Sequence, residues 1–237
     1  RGAQAPVESA VRRVAIWQAA LWGAARVVAE EHPSWWGGLV DLDPDTDLPA
    51  AARALVAHLG APAGEDQVAL RGHERFALRL QRQTLVGRPP SAVWRTDATC
   101  LITGGQGDIA LQLARSLVDQ GVRRFVLLAR TPLPAREGWA ALGTDSVAGQ
   151  RVAAIRAIEA AGAAVHPVAL DVADEAAMRA FLAEFAAQGW PPIRSVIHAA
   201  GSFENQLASR MERAQFDAVL RAKLAGALVL DRLLPDL

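Results

Sequence analysis

The sequence predicts an α/β fold, a parallel sheet wound by helices and preceded by a smaller α/β unit, on three observations. From Ala98 onward, strand-like apolar runs alternate four times with longer amphipathic helical runs, and neighbouring parallel strands need such long, right-handed crossovers. Up to about Arg95 the pattern differs: one helical stretch, one short apolar run, a second helix and two alternating segments joined by a Gly-His turn. Apolar residues make up 51% of the 237, enough for one large core or two small ones.

Each element follows from local pattern. VAIWQAALWGAARVVAEEH (14–32) has helical periodicity and is stopped by Pro33. WGGLVDLD (36–43) reads as a strand, and after the turn-rich DPDTDLP a helix over AAARALVAHLG (50–60) closes on Gly60. QVALR and RFALRL alternate apolar with polar residues on either side of Gly72-His73, the signature of a two-stranded ladder. VGRPPSAVWRTD (86–97) is the predicted linker, giving domains at 1–96 and 97–237. TCLIT then leads to a helix running to Gln120, and FVLLA to a loop and a helix ending near Gly162. AVHPVAL leads to a helix from Asp174, and SVIHAA to a helix through Leu234. The loop TPLPAREGWAALGTDSVAG (131–149) is long for a βα connection and is expected to lie over the sheet's C-terminal edge.

Composition narrows the function. The formal charge is zero and the arginines are interspersed with acidic residues, which argues against a nucleic-acid footprint or a basic membrane face. Cys100 is the one cysteine, so no intrachain disulfide can form, and neither a long apolar run nor a signal pattern is seen. A cytoplasmic protein is expected, with no membrane or nucleic-acid partner. Cysteine and histidine are too few and too dispersed to suggest a metal. Trp17, Trp22, Trp35 and Trp36 are expected to fill a core between helix and sheet, whereas Trp139 and Trp190 fall in loops. The pair Glu30-Glu31 is expected to face solvent.

The chemistry gathers at strand ends in the second half. TGGQGDIALQLA places glycines at 104, 105 and 107 between a strand and a helix, so that Thr103, Gly104, Gly105, Gln106, Gly107, Asp108 and Ile109 form a turn a pyrophosphate can approach. Ala110 stands where the fingerprint's third glycine would be and still permits close packing. The second strand ends in Arg130, where an NAD-selective domain would carry an acidic residue; a cation there suits a 2′-phosphate and therefore NADPH, the bland alternative being a strand end capped in solvent. Asp171 and Val172 end the third strand, where the carboxylate suits an adenine edge or the N-cap of the next helix. Ala199, Ala200 and Gly201 end the fourth, small enough for a cofactor to lie against the backbone. His198, beside them, reads as structural. Lys223, in RAKLAGA, is the single lysine beside twenty-four arginines, which invites a role that needs a compact ammonium, the alternative being chance in an arginine-biased composition.

TGGQG, the LLAR strand end, DVAD, HAAG and RAKLAGA, in that order, resemble the catalytic half of a ketoreductase domain of a modular polyketide synthase, within the short-chain dehydrogenase/reductase superfamily. ALWGAARVVAEEHPSWWGGLVDLD resembles part of the truncated Rossmann-like structural subdomain that precedes it, so the likeness spans nearly the whole chain. It implies a Rossmann-like parallel sheet for residues 97–237 and NADPH as cofactor. Further implied are an acyl carrier protein bearing a phosphopantetheine-tethered β-ketoacyl chain and flanking synthase domains. In polyketide ketoreductases the catalytic lysine comes early, in a segment like RAKLAGA, and Lys223 falls there. Its implied work is to hydrogen-bond the nicotinamide ribose and lower the pKa of a tyrosine that protonates the forming alkoxide.

That tyrosine is absent from the sequence, as are the strand with the catalytic serine and the asparagine beyond it. The resemblance therefore implies a partial domain, inactive alone, whose parent reduces a β-keto group to a β-hydroxyl. The competing readings are a non-reducing structural half-domain of a megasynthase and an unrelated NADP-binding regulatory module. Phe203-Glu204-Asn205 stands where one stereochemical class carries Leu-Asp-Asp, and the alcohol configuration stays open.

Overall fold

A computed structural model describes residues 1–4, 14–60, 64–80, 82, 94–203 and 206–235. Residues 86–93 of the predicted linker lie outside them, as do Glu204 and Asn205. The chain divides into two compact units, Arg1–Gly87 with Gln206–Arg210, and Arg88–Asn205 with Met211–Leu237.

In the first unit, α1 (Ile16–Glu31), β1 (Leu39–Asp41) and α2 (Leu48–Gly60) precede a hairpin of β2 (Gln67–Arg71) and β3 (Glu74–Ala77). β1 pairs in parallel with β2, and β2 antiparallel with β3 through the Gly72-His73 turn. Asp41 is buried at 2% exposure; it accepts from the amides of Ala3 and Gln4 and pairs with the guanidinium of Arg71. The tryptophans depart from expectation. Trp22 is buried, but Trp17 is 69% and Trp35 76% exposed. At about 100° per residue, five positions put Trp17 roughly 140° around α1 from Trp22, so the two cannot share one face. Of the two glutamates, Glu30 is exposed, while Glu31 accepts from the amide of Ala208 at 2.7 Å.

The second unit is a three-layer sandwich around a four-stranded sheet. Its strands are β4 (Thr99–Thr103), β5 (Arg124–Ala129), β6 (Ala164–Ala169) and β7 (Ile193–His198), in the order β6-β5-β4-β7 and parallel throughout. Its helices are α3 (Asp108–Asp119), α4 (Val147–Ala160), α5 (Glu175–Ala187), α6 (Arg213–Leu220) and α7 (Gly226–Leu233). Side chains alternate across the pleat. Cys100, Ile102, Phe125 and Leu127 pack on α3 and α4; Leu101, Val126 and Leu128 pack on α5 and α7. A central parallel sheet buried on both faces explains why its strands read as unbroken apolar runs.

Among the described strands β6 is one of the sheet's two edges, β7 the other. Ala164 and Leu170 donate their amides toward β5, so the odd-numbered residues between them turn their backbone groups outward, and Pro167 lacks only an N–H that has no ladder partner to reach. The long loop after β5 leaves from that strand's C-terminal end. It forms a 3₁₀ turn at Arg136–Ala141, buries Trp139, and sends the Arg136 Nη2 back to the Val165 carbonyl at 2.6 Å, near the start of β6. One outward carbonyl of the edge is thereby satisfied. Among the described residues, no helix is long and apolar enough to cross a membrane.

Candidate functional site

The sheet's connectivity decides where a ligand can lie. The chain enters at β4, moves outward to β5 and β6, then crosses to β7 on the other side of β4. Connections that leave neighbouring strands in opposite directions open a crevice at their C-terminal ends.

At that rim β4 ends in Thr103 and turns through Gly104, Gly105, Gln106 and Gly107 into α3. Gly104 has φ +65°, and a Cβ there would stand 2.6 Å from the Ala199 carbonyl oxygen; one on Gly105 would stand 2.7 Å from the Leu127 Cα. Both neighbours are backbone and cannot yield, so the turn requires glycine at each place. The Gly105 amide donates to Leu128 O at 3.0 Å and that of Gly107 to Gly104 O at 2.8 Å. This ties the turn to the sheet and leaves the first-turn N–H groups of α3, from Asp108 to Ala110, without intrahelical acceptors. Ile109 is 80% exposed there.

A cleft of about 250 Å³ opens beside this turn. Gly104, Gln106 and Gly107 form one wall. Leu128, Arg130 and Thr131 follow from the end of β5, Asp171 and Val172 from the end of β6, Ala200 and Gly201 from beyond β7, and Arg151 and Arg221 from helices. Sites that enclose a whole small ligand run to roughly 300–1,000 Å³; this cleft, with a strand-end arginine and a strand-end aspartate at its heart, suits the phosphate and adenosine end of a dinucleotide. Thr103, Gly105, Asp108, Ile109, Ala199 and Lys223 are not among its lining residues.

Two of those six, Thr103 and Ala199, support the cleft from behind. Thr103 is fully buried, and its hydroxyl accepts the Ala200 amide at 3.2 Å while meeting the His198 Nδ1 at 2.7 Å. His198 Nε2 reaches the Ala222 carbonyl at 3.0 Å. Because a carbonyl only accepts, Nε2 carries the ring hydrogen and Nδ1 takes the threonine's. Every polar atom in this relay is matched, the structural role the sequence suggests for His198. Ala199 donates its amide to Thr103 O at 3.2 Å, so the small residues after β7 are locked to β4.

Lys223 lies in a single π turn, Arg221–Ala225, set between α6 and α7. Such a turn inserts one residue into a helix and re-aims the side chains around it. Here it brings the lysine stem against Gly201, whose added Cβ would meet the Lys223 Cε at 3.3 Å. The ammonium rests 4.6 Å from the ring centroid of Phe203, itself 82% exposed. Lysine stem and glycine turn thus stand at one rim, joined through Gly201, which shares the cleft with Gly104.

Asp171 is not a helix cap; that place belongs to Asp174, whose carboxylate accepts from the Ala177 amide. Asp171 accepts from the Ala173 amide and from Arg221 Nε, both at 2.9 Å. Burial pushes its pKa up, but the Ala173 amide, Arg221 and the more distant charge of Arg130 together hold it below the ordinary aspartate range. Cys100 is buried, which pushes its thiol up and outweighs a hydrogen bond to Ser195; it is a packing residue. Sequence reasoning missed Thr131, Arg151 and Arg221. Arg221 sits inside the RAKLAGA segment, but nothing in the sequence separates Arg151 from the other arginines.

A family model described as KR domain matches residues 98–237. Over 97% of its length the chain is 37% identical to a 5-methyl-1-naphthoate synthase of Streptomyces sahachiroi, of which it covers 13%. Over 97% it is also 39% identical to a component of the phenolphthiocerol/phthiocerol polyketide synthase of Mycobacterium tuberculosis, of which it covers 12%. Among solved structures it is similar to the ketoreductase from the first module of phoslactomycin biosynthesis in Streptomyces sp. HK803, with a TM-score of 0.80 and 36% identity, over 96% of this chain and 49% of that one. The glycine turn, the parallel order of β6-β5-β4-β7 and these likenesses agree: the chain belongs to the KR domain family, the ketoreductases of polyketide synthases.

Proposed function

We propose that the chain supplies the NADPH-binding half of a polyketide synthase ketoreductase, acting in the cytoplasm on the β-keto group of an acyl chain tethered to an acyl carrier protein. The flanking partners in this reading are further synthase domains. The observation that carries it is the cleft in which a glycine turn, the strand-end Arg130 and Asp171 meet at the switch point of a parallel sheet. When bound, NADPH supplies the hydride. The α3 N-terminus, with its free amides and dipole, favours the pyrophosphate, and the backbone at Gly104 admits it closely. Arg130 attracts the 2′-phosphate, Asp171 and Val172 border the adenine, and Ala199, Ala200 and Gly201 leave room for the nicotinamide half.

Lys223 donates to a ribose hydroxyl at that end. Its charge lowers the pKa of the proton donor. An arginine's broader, flat head would not place a point charge against Gly201 in the same way. Because the 237 residues include no tyrosine, the isolated chain is expected to reduce no ketone.

The test is a titration of the full-length protein with NADPH, followed by NADPH consumption with a β-ketoacyl thioester. Saturable binding and turnover, with turnover lost in Lys223→Ala, are the expected results. No saturable binding would instead support a non-reducing structural half-domain.

A further inference from the structure

The positive charges in the cleft are unevenly matched. Three guanidinium groups line it, those of Arg130, Arg151 and Arg221, and one carboxylate, that of Asp171. Asp171 is engaged by Arg221 at 2.9 Å. Arg130 and Arg151 enter no salt bridge among the described residues; Arg130 acts on Asp171 only through space. Two guanidinium groups without salt-bridge partners give the concavity an excess of positive charge, which favours a doubly charged anion.

Gln106 explains why Arg151 faces this place. Its side chain is buried at 3% exposure. The Nε2 end donates to the Thr131 carbonyl at 2.9 Å, which leaves the Oε1 end turned to Arg151 Nη1, 3.4 Å away. With its amide nitrogen occupied, Gln106 cannot reverse without losing that bond, so it holds an acceptor beside Arg151 and links the glycine turn, the loop after β5 and the first turns of α4. The Gln106 contact is long for a hydrogen bond and uses only one of the five N–H donors of the guanidinium.

We propose that Arg151 is a second specificity-determining residue for NADPH, closing on the 2′-phosphate together with Arg130. This rests on the reading that the cleft takes NADPH, and adds that recognition of the phosphate is shared between the end of β5 and α4. A phosphate monoester dianion offers three acceptor oxygens, more than one guanidinium fork engages, and two forks from different elements fix it in position as well as in charge.

Equilibrium binding of NADPH and NADH to the full-length protein tests this. Arg151→Ala is expected to weaken NADPH binding about tenfold or more, the loss of a charge-assisted hydrogen bond, and to change NADH binding less than about twofold, because NADH lacks the 2′-phosphate. Arg151→Lys keeps the charge without the fork, and its loss is expected to be smaller, about threefold. Unchanged NADH binding doubles as the check that each variant is folded. An equal loss for both nucleotides would overturn the proposal, as would an NADPH preference that survives Arg151→Ala; either leaves the cofactor reading standing. A wild-type protein that binds neither nucleotide would remove the cofactor reading and this proposal together.

Discussion

The two units build on the same alternation of strand and helix but are fastened differently. In the first, a three-stranded sheet leaves Trp17 and Trp35 largely exposed, and its most buried polar feature is the carboxylate of Asp41, enclosed by two backbone amides and Arg71. In the second, apolar side chains fill both faces of the sheet, and the buried polar residues, Thr99, Thr103 and Gln106, stand at strand ends and in the glycine turn. Apolar burial is non-directional and tolerates small shifts, whereas a buried ion pair holds only while its geometry is complete. A unit with a two-sided core can therefore keep its polar groups for strand ends, where ligands bind.

The contrast can be broken by a single substitution in either unit. Asp41→Ala is expected to cost about 3–5 kcal/mol, because it strands Arg71, 10% exposed, without its carboxylate. Amide hydrogen exchange on the full-length protein should show the loss over α1 to β3 and little change over β4 to β7. Second in size, Gly105→Ala is expected to cost about 1–3 kcal/mol by overpacking against the Leu127 Cα and the Ile102 carbonyl, at 2.7 and 2.8 Å. Its exchange signature should be the reverse, confined to β4, β5 and α3, with NADPH binding weakened as the turn shifts. If Asp41→Ala loosened both units equally, the two would be one cooperative body and the comparison would lose its meaning.

How far these features can be read from sequence also separates the units. The second unit's strands are legible because a strand buried on both faces must be apolar throughout, and its glycine turn because close backbone approach admits no other residue. The first unit's elements are legible too, but not the faces of its helix: Trp17 and Trp22 share a helix without sharing a side. In the cleft, residues whose role follows from their own backbone position are visible in the sequence. Arg151 and Arg221 are not, because their role comes from where α4 and the π turn carry them, and neither position is encoded nearby. The π turn itself leaves no trace in RAKLAGA, since it answers to His198 and Gly201, residues that are distant in sequence. The path of the long loop is likewise set by a remote partner, the Val165 carbonyl that Arg136 reaches.

The smallest expected effect sharpens the comparison at the cleft. The Asp171–Arg221 pair has side chains 29% and 55% exposed, unlike the enclosed pair of the first unit, so solvent screens it and its worth is about 1 kcal/mol or less. Its sign follows from linkage. The folded protein holds the Asp171 carboxyl below the ordinary aspartate range, so the folded state binds its proton less readily than the unfolded chain does. The pair's contribution is then fully present above the ordinary aspartate range and is lost as pH falls through the lowered folded value. Urea midpoints of wild type and Asp171→Asn should differ slightly at neutral pH and converge under strong acid. Salt should narrow the neutral-pH gap. A gap that widened toward acid would mean that burial, which pushes this carboxyl up, outweighs its amide and guanidinium partners, and the cleft would then present a protonated acid instead of an ion pair.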